Sequence, residues 1–354
     1  MNGGDKLSFC KNIQIGEKEV SEASGTFIIA EAGVNHNGNM DVARELIDAA
    51  YEAGADAIKF QNFHTDKLIL SDVDKAPYQK ERLGNTGSQY DMLKTLELQD
   101  GQTQMLKEYC TKKGIIFLST PFEKDSLDFL CDLNVAAIKV AATDATNIHF
   151  LRQVASKGKP IILSAGMCYL EEIKKALQAI HSINKQVILL QCTANYPIED
   201  GEVNLNVINT FREEFDVLIG YSDHSKGIGA APYAVAMGAK LIEKHFTLDK
   251  NMAGPDQQAS VTPKELCELV KQVRKVEEYL GSSLKYPTFS EQNTRRSLQK
   301  CLVASSPIKA GERFTENNIV AKRTNGVGIS ALYFDNVIGM VSRREYSEND
   351  IIES

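Results

Sequence analysis

Two lysines and two histidines of this chain stand where an ordinary hydrophobic core has no use for them. Lys59 and Lys139 lie inside the apolar runs AIKFQ (57–61) and AIKVAA (137–142). An ammonium group there is costly to bury unless it meets an anion. His224 in GYSDHS (220–225) and His245 in LIEKHF (241–246) close two successive runs. Two imidazoles with open positions suit a divalent ion such as Mn²⁺ or Zn²⁺. Hydrogen-bonded core histidines, and lysines paired with buried carboxylates, are the plain alternatives. His36, His64, His149 and His181 are weaker candidates, the last two reading as helix-surface residues. Thr120, Ser164 and Ser222 join the lysines in a set able to hold phosphate and carboxylate. Glu31, Asp144, Glu243 and Asp256 are candidates for metal-bound water, general base or contact with sugar hydroxyls. A Schiff base on Lys59 or Lys139 is the rival use of the lysines.

These residues share a position: the end of a short apolar run. Eight such runs occupy 27–32, 57–61, 115–120, 137–142, 160–165, 187–193, 218–223 and 241–246. Each is continuously apolar, as a strand covered on both faces should be. Helical patterns separate them. In 41–53, Val42, Leu46, Ala49 and Ala53 share one face and Gly54 supplies a stop. Similar patterns fill 102–113, 125–133, 148–157, 171–183, 204–214, 226–238 and 263–280. This alternation predicts an α/β fold, a (β/α)8 TIM barrel. An open doubly wound sheet is the alternative, but its glycine-rich fingerprint is missing after the first run. In a barrel, groups at the C-terminal strand ends meet at one rim. An unusually long gap follows the second run, and its polar stretch 64–98 predicts a functional loop on that rim.

The barrel is expected over 1–282 and a linker over 283–298. A small β-rich domain at 299–354 is too small to carry much core of its own. Across 354 residues, 43% are apolar and the net charge is −7. That charge excludes a general affinity for nucleic acid but leaves room for a locally basic pocket. Charges interrupt every apolar run before it reaches membrane-spanning length. The opening MNGGDKLSFCK lacks the apolar core of a signal peptide, and the seven scattered cysteines form no CxxC pair. A cytoplasmic protein with reduced thiols, and with no membrane partner, is expected.

At these same residues the sequence resembles the sialic acid synthase family, bacterial makers of N-acetylneuraminate, legionaminate or pseudaminate. The resemblance rests on IIAEAGVNHNG (28–38), KFQ (59–61), FLSTPF (117–122), ILSAGM (162–167), CTANYP (192–197), GYSDHS, EKHFTLD (243–249) and GPD (254–256). KRTNGVGIS (322–330) resembles that family's antifreeze-like (SAF) C-terminal domain. The match runs from about residue 14 almost to the end of the chain. It implies condensation of phosphoenolpyruvate with an N-acylated hexosamine of the mannosamine type and water, giving a nine-carbon 2-keto-3-deoxy acid and phosphate. Such a C–C bond-forming transferase belongs to class EC 2.5.1. A non-catalytic sugar-binding homologue and a Schiff-base aldolase are the alternatives.

The resemblance also implies roles. His224 and His245 ligate a divalent metal, Mn²⁺ foremost, with Mg²⁺ or Co²⁺ as substitutes. Lys59, Thr120, Lys139, Ser164 and Ser222 bind phosphoenolpyruvate. Gln61, Tyr196, Asp256 and Glu31 face the sugar. Glu31, Asp144 and Glu243 form the catalytic carboxylate set, Asp144 standing where the family has a glutamate. A homodimer with a swapped C-terminal domain is implied, Arg323 reaching the sugar in the partner subunit. The chain departs from the pattern in KVAATD, where Ala142 and Thr143 replace a serine and a glycine. It departs again at Ala194, where some members have asparagine, and at Gln257, where many have histidine.

Overall fold

The computed structural model describes residues 7–353. Twelve strands are labelled in chain order: β1 (Asn12–Ile15), β2 (Lys18–Ser21), β3 (Phe27–Gly33), β4 (Ala57–Asn62), β5 (Ile116–Pro121), β6 (Ile138–Val140), β7 (Ile161–Ser164), β8 (Val187–Cys192), β9 (Leu218–Asp223), β10 (Leu241–His245), β11 (Lys300–Ala304) and β12 (Ile319–Arg323). Strands β3 to β10 are all parallel and close into a barrel, β10 pairing with β3. The eight runs of the sequence are these eight strands, and the TIM barrel is observed.

The side chains of a strand alternate between faces, and the alternation sorts this barrel into an inside and an outside. Ile29, Ala57, Leu118, Ala137, Ile162, Ile188, Leu190, Leu218 and Leu241 form one buried cluster inside. Their neighbours Ile28, Ile58, Ile138, Leu163, Leu189, Ile219 and Ile242 join the larger cluster beneath the helices. Two residues further along, the inward position falls on Glu31, Lys59, Thr120, Lys139, Ser164, Cys192 and Glu243, and on β9 Gly220 intervenes before Ser222. The apolar layer is therefore the floor of a polar one. An antiparallel hairpin, β1 with β2, adds Ile13, Ile15 and Val20 to the inner cluster and plugs the N-terminal end of the barrel. The sequence patterns had not revealed this hairpin, whose strands are only four residues each.

Local chemistry sets the helix limits. Asn39 caps Met40–Glu52 by accepting from the backbone N–H groups of Asp41 and Val42. Thr262, Pro263 and Glu265 form a capping box at the start of Pro263–Leu280. The face expected for Met40–Glu52 needs correction. Ala43, Leu46, Ile47 and Ala50 are buried, while Val42 and Ala49 are only half-buried. The 64–98 stretch also differs from the expected loop. It holds three short helices, Thr65–Leu68, Pro77–Leu83 and Gln89–Leu96. Among the described residues no helix is long and apolar enough to cross a membrane.

The chain divides into two compact units, Met1–Gly281 and Ser282–Ser354. In the second, a helix Glu291–Leu298 occupies part of the stretch read as linker. Strands β11 and β12 pair antiparallel over a core that includes Leu302, Ile308, Phe314, Ile319, Tyr346 and Ile352.

The tighter of the two glycines on the barrel strands is Gly220 on β9. A Cβ there would lie 2.5 Å from Leu190 Cδ2 and 2.6 Å from the Leu241 carbonyl oxygen. Because the obstructing oxygen is backbone, Gly220→Ala should cost about 1–3 kcal/mol. The check is a lowered urea midpoint with an unchanged slope.

Candidate active site

Above the apolar floor, two ammonium groups share two carboxylates. Lys59 Nζ lies 2.7 Å from Glu31 Oε2 and 3.7 Å from Glu243 Oε1, and Lys139 Nζ lies 3.6 Å from Glu243 Oε1. All four side chains are almost wholly buried. Strand register produces the contact, since Glu31 and Lys59 are direct partners across β3 and β4. Lys59 also donates to Thr120 Oγ1 at 3.0 Å, Gln61 Nε2 to Glu31 at 3.3 Å, and Ser222 Oγ to Glu243 at 3.4 Å.

The carboxylates do not titrate alike. Burial pushes Glu31 up to about 7, a rise that the ammonium of Lys59 only partly offsets. Burial works the same way on Glu243, but Lys139 and Lys59 together hold it below the ordinary carboxylate range. Burial also lowers the Lys139 ammonium, against the pull of Glu243. Near neutral pH, two lysines thus face one firm anion and one carboxyl that is close to its own midpoint. Each lysine has a carboxylate beside it, yet the floor leans positive wherever Glu31 takes up a proton, in a place water screens poorly.

His224 and His245 sit beside this group, ring centroids 5.3 Å apart. His224 Nδ1 is 2.8 Å from the Thr193 carbonyl oxygen. That bond places a hydrogen on Nδ1 and makes Nε2 the nitrogen available to a ligand. His245 Nδ1 is buried without a hydrogen-bond partner, Asp256 Oδ2 being 4.0 Å away. Burial holds His245 well below the usual imidazole range, so it is neutral. Tyr196 covers both rings, at 4.1 Å from His224 and 5.1 Å from His245. Burial lowers His224 as well, but Cys192 and the Thr193 carbonyl outweigh it and raise His224 above the usual imidazole range. Two imidazoles this close are a donor set that a divalent ion takes once His224 gives up its second proton. Among the described residues no group of three or more His, Cys, Asp and Glu gathers as a metal cluster.

The histidines are held from behind. Asp223 and Lys244, each one residue before a histidine, are cross-strand partners on the outer face of β9 and β10. Both side chains are fully buried, with Lys244 Nζ 3.2 Å from Asp223 Oδ2 and 2.5 Å from the Ser225 carbonyl oxygen. Asp223 also accepts from the backbone N–H groups of Ser225 and Ala231 and from the Ser225 hydroxyl. Gly229, at φ +63°, closes this loop where a Cβ would collide with the Ser225 hydroxyl.

The remaining candidates are spread wider. Ser164 points inward from β7 beside Cys192, whose Sγ is 3.7 Å from His224 Nδ1. Asp256 is buried at the mouth and burial pushes it to about 6. Asp144 ends the short turn Ala142–Asp144, half-buried, and accepts from Asn147 Nδ2 at 3.2 Å. Burial raises it above the usual aspartate range. Ala142, Ala194 and Cys192 all crowd Gly166, at 3.1, 3.0 and 3.3 Å from where a Cβ would stand. Two of the departures from the family pattern therefore meet on one wall. Arg323 ends β12 in the second unit and is exposed. Sequence reasoning passed over Cys192, Tyr78 and Arg82. Tyr78 and Arg82 stand four residues apart in PYQKERL, a spacing that would have marked one helix face had the stretch been read as helical.

A model of the NeuB family matches residues 46–285, and a model of the SAF domain matches residues 299–353. The chain is 42% identical over 330 residues to the N,N'-diacetyllegionaminic acid synthase of Campylobacter jejuni, covering 92% of this chain and 98% of that one. It is 41% identical over 318 residues to the protein of the same name from Legionella pneumophila, covering 88% and 89%. The crystal structure of N-acetylneuraminic acid synthetase from Leptospira borgpetersenii, in complex with citrate, superposes with a TM-score of 0.73. It shares 36% identity, covering 82% of this chain and 98% of that one.

Removing Lys244 alone strands the Asp223 carboxylate in the protein interior. Lys244→Met should therefore cost about 3–5 kcal/mol, and adding Asp223→Leu should recover part of that loss. Urea unfolding of the single and double variants gives the comparison.

Proposed function

This chain belongs to the NeuB family, and we propose that it is a nonulosonic acid synthase joining phosphoenolpyruvate to an N-acylated hexosamine of the mannosamine type. The observation that carries the reading is the positively charged floor formed by Lys59, Lys139, Glu243 and Glu31 beside the paired imidazoles of His224 and His245. A phosphate ester with a carboxylate is the kind of anion such a floor takes up, and the names of the relatives supply the sugar.

In this reading Lys59 and Lys139 bind the phosphate and carboxylate of phosphoenolpyruvate, with Thr120, Ser164 and Ser222 donating hydroxyls. Gln61, Tyr196 and Asp256 orient the open-chain sugar, and holding both reactants supplies proximity. A divalent ion bound by His224 and His245, Mn²⁺ in our proposal, would polarise the aldehyde oxygen as a Lewis acid. The C3 carbon of phosphoenolpyruvate attacks the aldehyde carbon, and Glu31 gives its proton to the new alkoxide. Water adds at C2 and its proton passes to Asp144. The bond from C2 to the bridging oxygen then breaks, phosphate leaves with that proton, and the proton released from the C2 hydroxyl as the ketone forms returns to Glu31. Glu243 stays ionised and holds both ammonium groups in place. Water added and phosphate released balance the reaction.

Inorganic phosphate should appear only when phosphoenolpyruvate and an N-acylmannosamine are both present, and a chelator should abolish it. Lys139→Met should lower kcat/KM by about a hundredfold or more. Full activity in chelator would remove the metal from the reading. Trapping of pyruvate on the protein by borohydride would replace it with Schiff-base chemistry.

Glu31 must be protonated in this role, and its folded value is about 7. The kcat/KM should therefore fall as pH rises above about 7, about tenfold per pH unit. A pH profile of Glu31→Gln, flat across that range, checks the assignment.

A further inference from the structure

The long connection between β4 and β5 sends one element over the mouth of the barrel, the helix Pro77–Leu83. Tyr78 and Arg82 lie on the same side of it. Arg82 Nη1 donates to the Pro255 carbonyl oxygen at 2.8 Å, and Arg82 Nη2 donates to that of Tyr196 at 3.1 Å. One planar guanidinium thus ties together the two loops that carry Tyr196 and Asp256. The Tyr78 ring lies 5.3 Å from the Tyr196 ring, and Tyr196 in turn covers both histidines. Histidine pair, Tyr196 and Tyr78 form a continuous line from the floor outward. The positive charge of Arg82 also opposes the rise that burial imposes on Asp256. The rest of the connection is anchored elsewhere, by Glu97 to Thr65 and by His64 to Glu123. Among the described residues the rim after β7 is more open, Met167 and Tyr169 being 64% and 80% exposed.

We propose that Tyr78 is a specificity-determining residue for the acceptor sugar, and that Arg82 is the positioning residue that fixes it over the site. The inference rests on the synthase reading, which sets the acceptor aldehyde beside the histidines. A chain that starts there and runs along Tyr196 ends beneath Tyr78. The helix therefore reads the end of the N-acylated hexosamine remote from its aldehyde. Phosphoenolpyruvate, held by Lys59 and Lys139, gains no group from it.

The test is steady-state phosphate release by the full chain and its Tyr78→Ala, Tyr78→Phe, Arg82→Gln and Arg82→Lys variants. Each substrate is varied in turn, with N-acetylmannosamine and 2,4-diacetamido-2,4,6-trideoxymannose as alternative acceptors. Tyr78→Ala and Arg82→Gln should raise the acceptor KM about tenfold and change the ratio of kcat/KM between the two sugars. The KM for phosphoenolpyruvate should stay within about twofold. Arg82→Lys should not rescue, because an ammonium lacks the planar fork that meets two carbonyls. Tyr78→Phe, which keeps the ring, should retain most of the acceptor affinity. A parallel rise in both KM values, or an unchanged ratio in Tyr78→Ala, would overturn the proposal. If the unsubstituted protein releases no phosphate with either sugar, the synthase reading itself fails. Calorimetric titration of each sugar into the unsubstituted protein and Tyr78→Ala then decides the role of the helix. Weaker binding by the variant supports it and equal binding overturns it.

Discussion

A β-strand turns successive side chains to opposite faces, and every functional feature of the barrel follows from that constraint. On six of the eight strands it puts an inward apolar residue first and an inward polar one two residues later. The same alternation carries Asp223 and Lys244 outward while His224 and His245 turn in. Shifting β4 or β6 by a single residue would exchange the two sets and put Ile58 or Ile138 where a lysine stands.

Burying so many charged groups is tolerable only because each has a counterpart. The inner group is deliberately unequal, since Glu31 is raised to about 7 while Glu243 is held low between two lysines. The outer pair, Asp223 with Lys244, is balanced and saturated by loop hydrogen bonds. One arrangement leaves charge available for a ligand, and the other spends all of it on geometry. A single step of sequence separates them, from Glu243 to Lys244.

Most of the barrel was legible because a lysine, serine or histidine at the end of an apolar run is a strong signal in single-sequence form. The eight strands and the convergence of Glu31, Lys59, Lys139, Glu243, His224 and His245 were readable for that reason. Helix faces were less so. Both Val42 and Ala43 are apolar in Met40–Glu52, and only packing on β3 and β4 decides which is buried. The helices between 65 and 96 were hidden because Pro77–Leu83 is mostly polar and owes its place to Arg82 bonds with distant loops. Residues whose partners lie more than a hundred positions away, as Arg82 and Tyr196 do, leave no local trace.

The hairpin of β1 and β2 stoppers one end of the barrel, so the polar chamber has a single doorway. Traffic through a blind passage is last in, first out. Whatever rests on the lysine floor has to arrive before whatever lies against Tyr196 and Tyr78, and it cannot depart until the outer occupant has gone. The order of arrivals and departures is written into the plumbing of the fold, at the end of the barrel farthest from any chemistry.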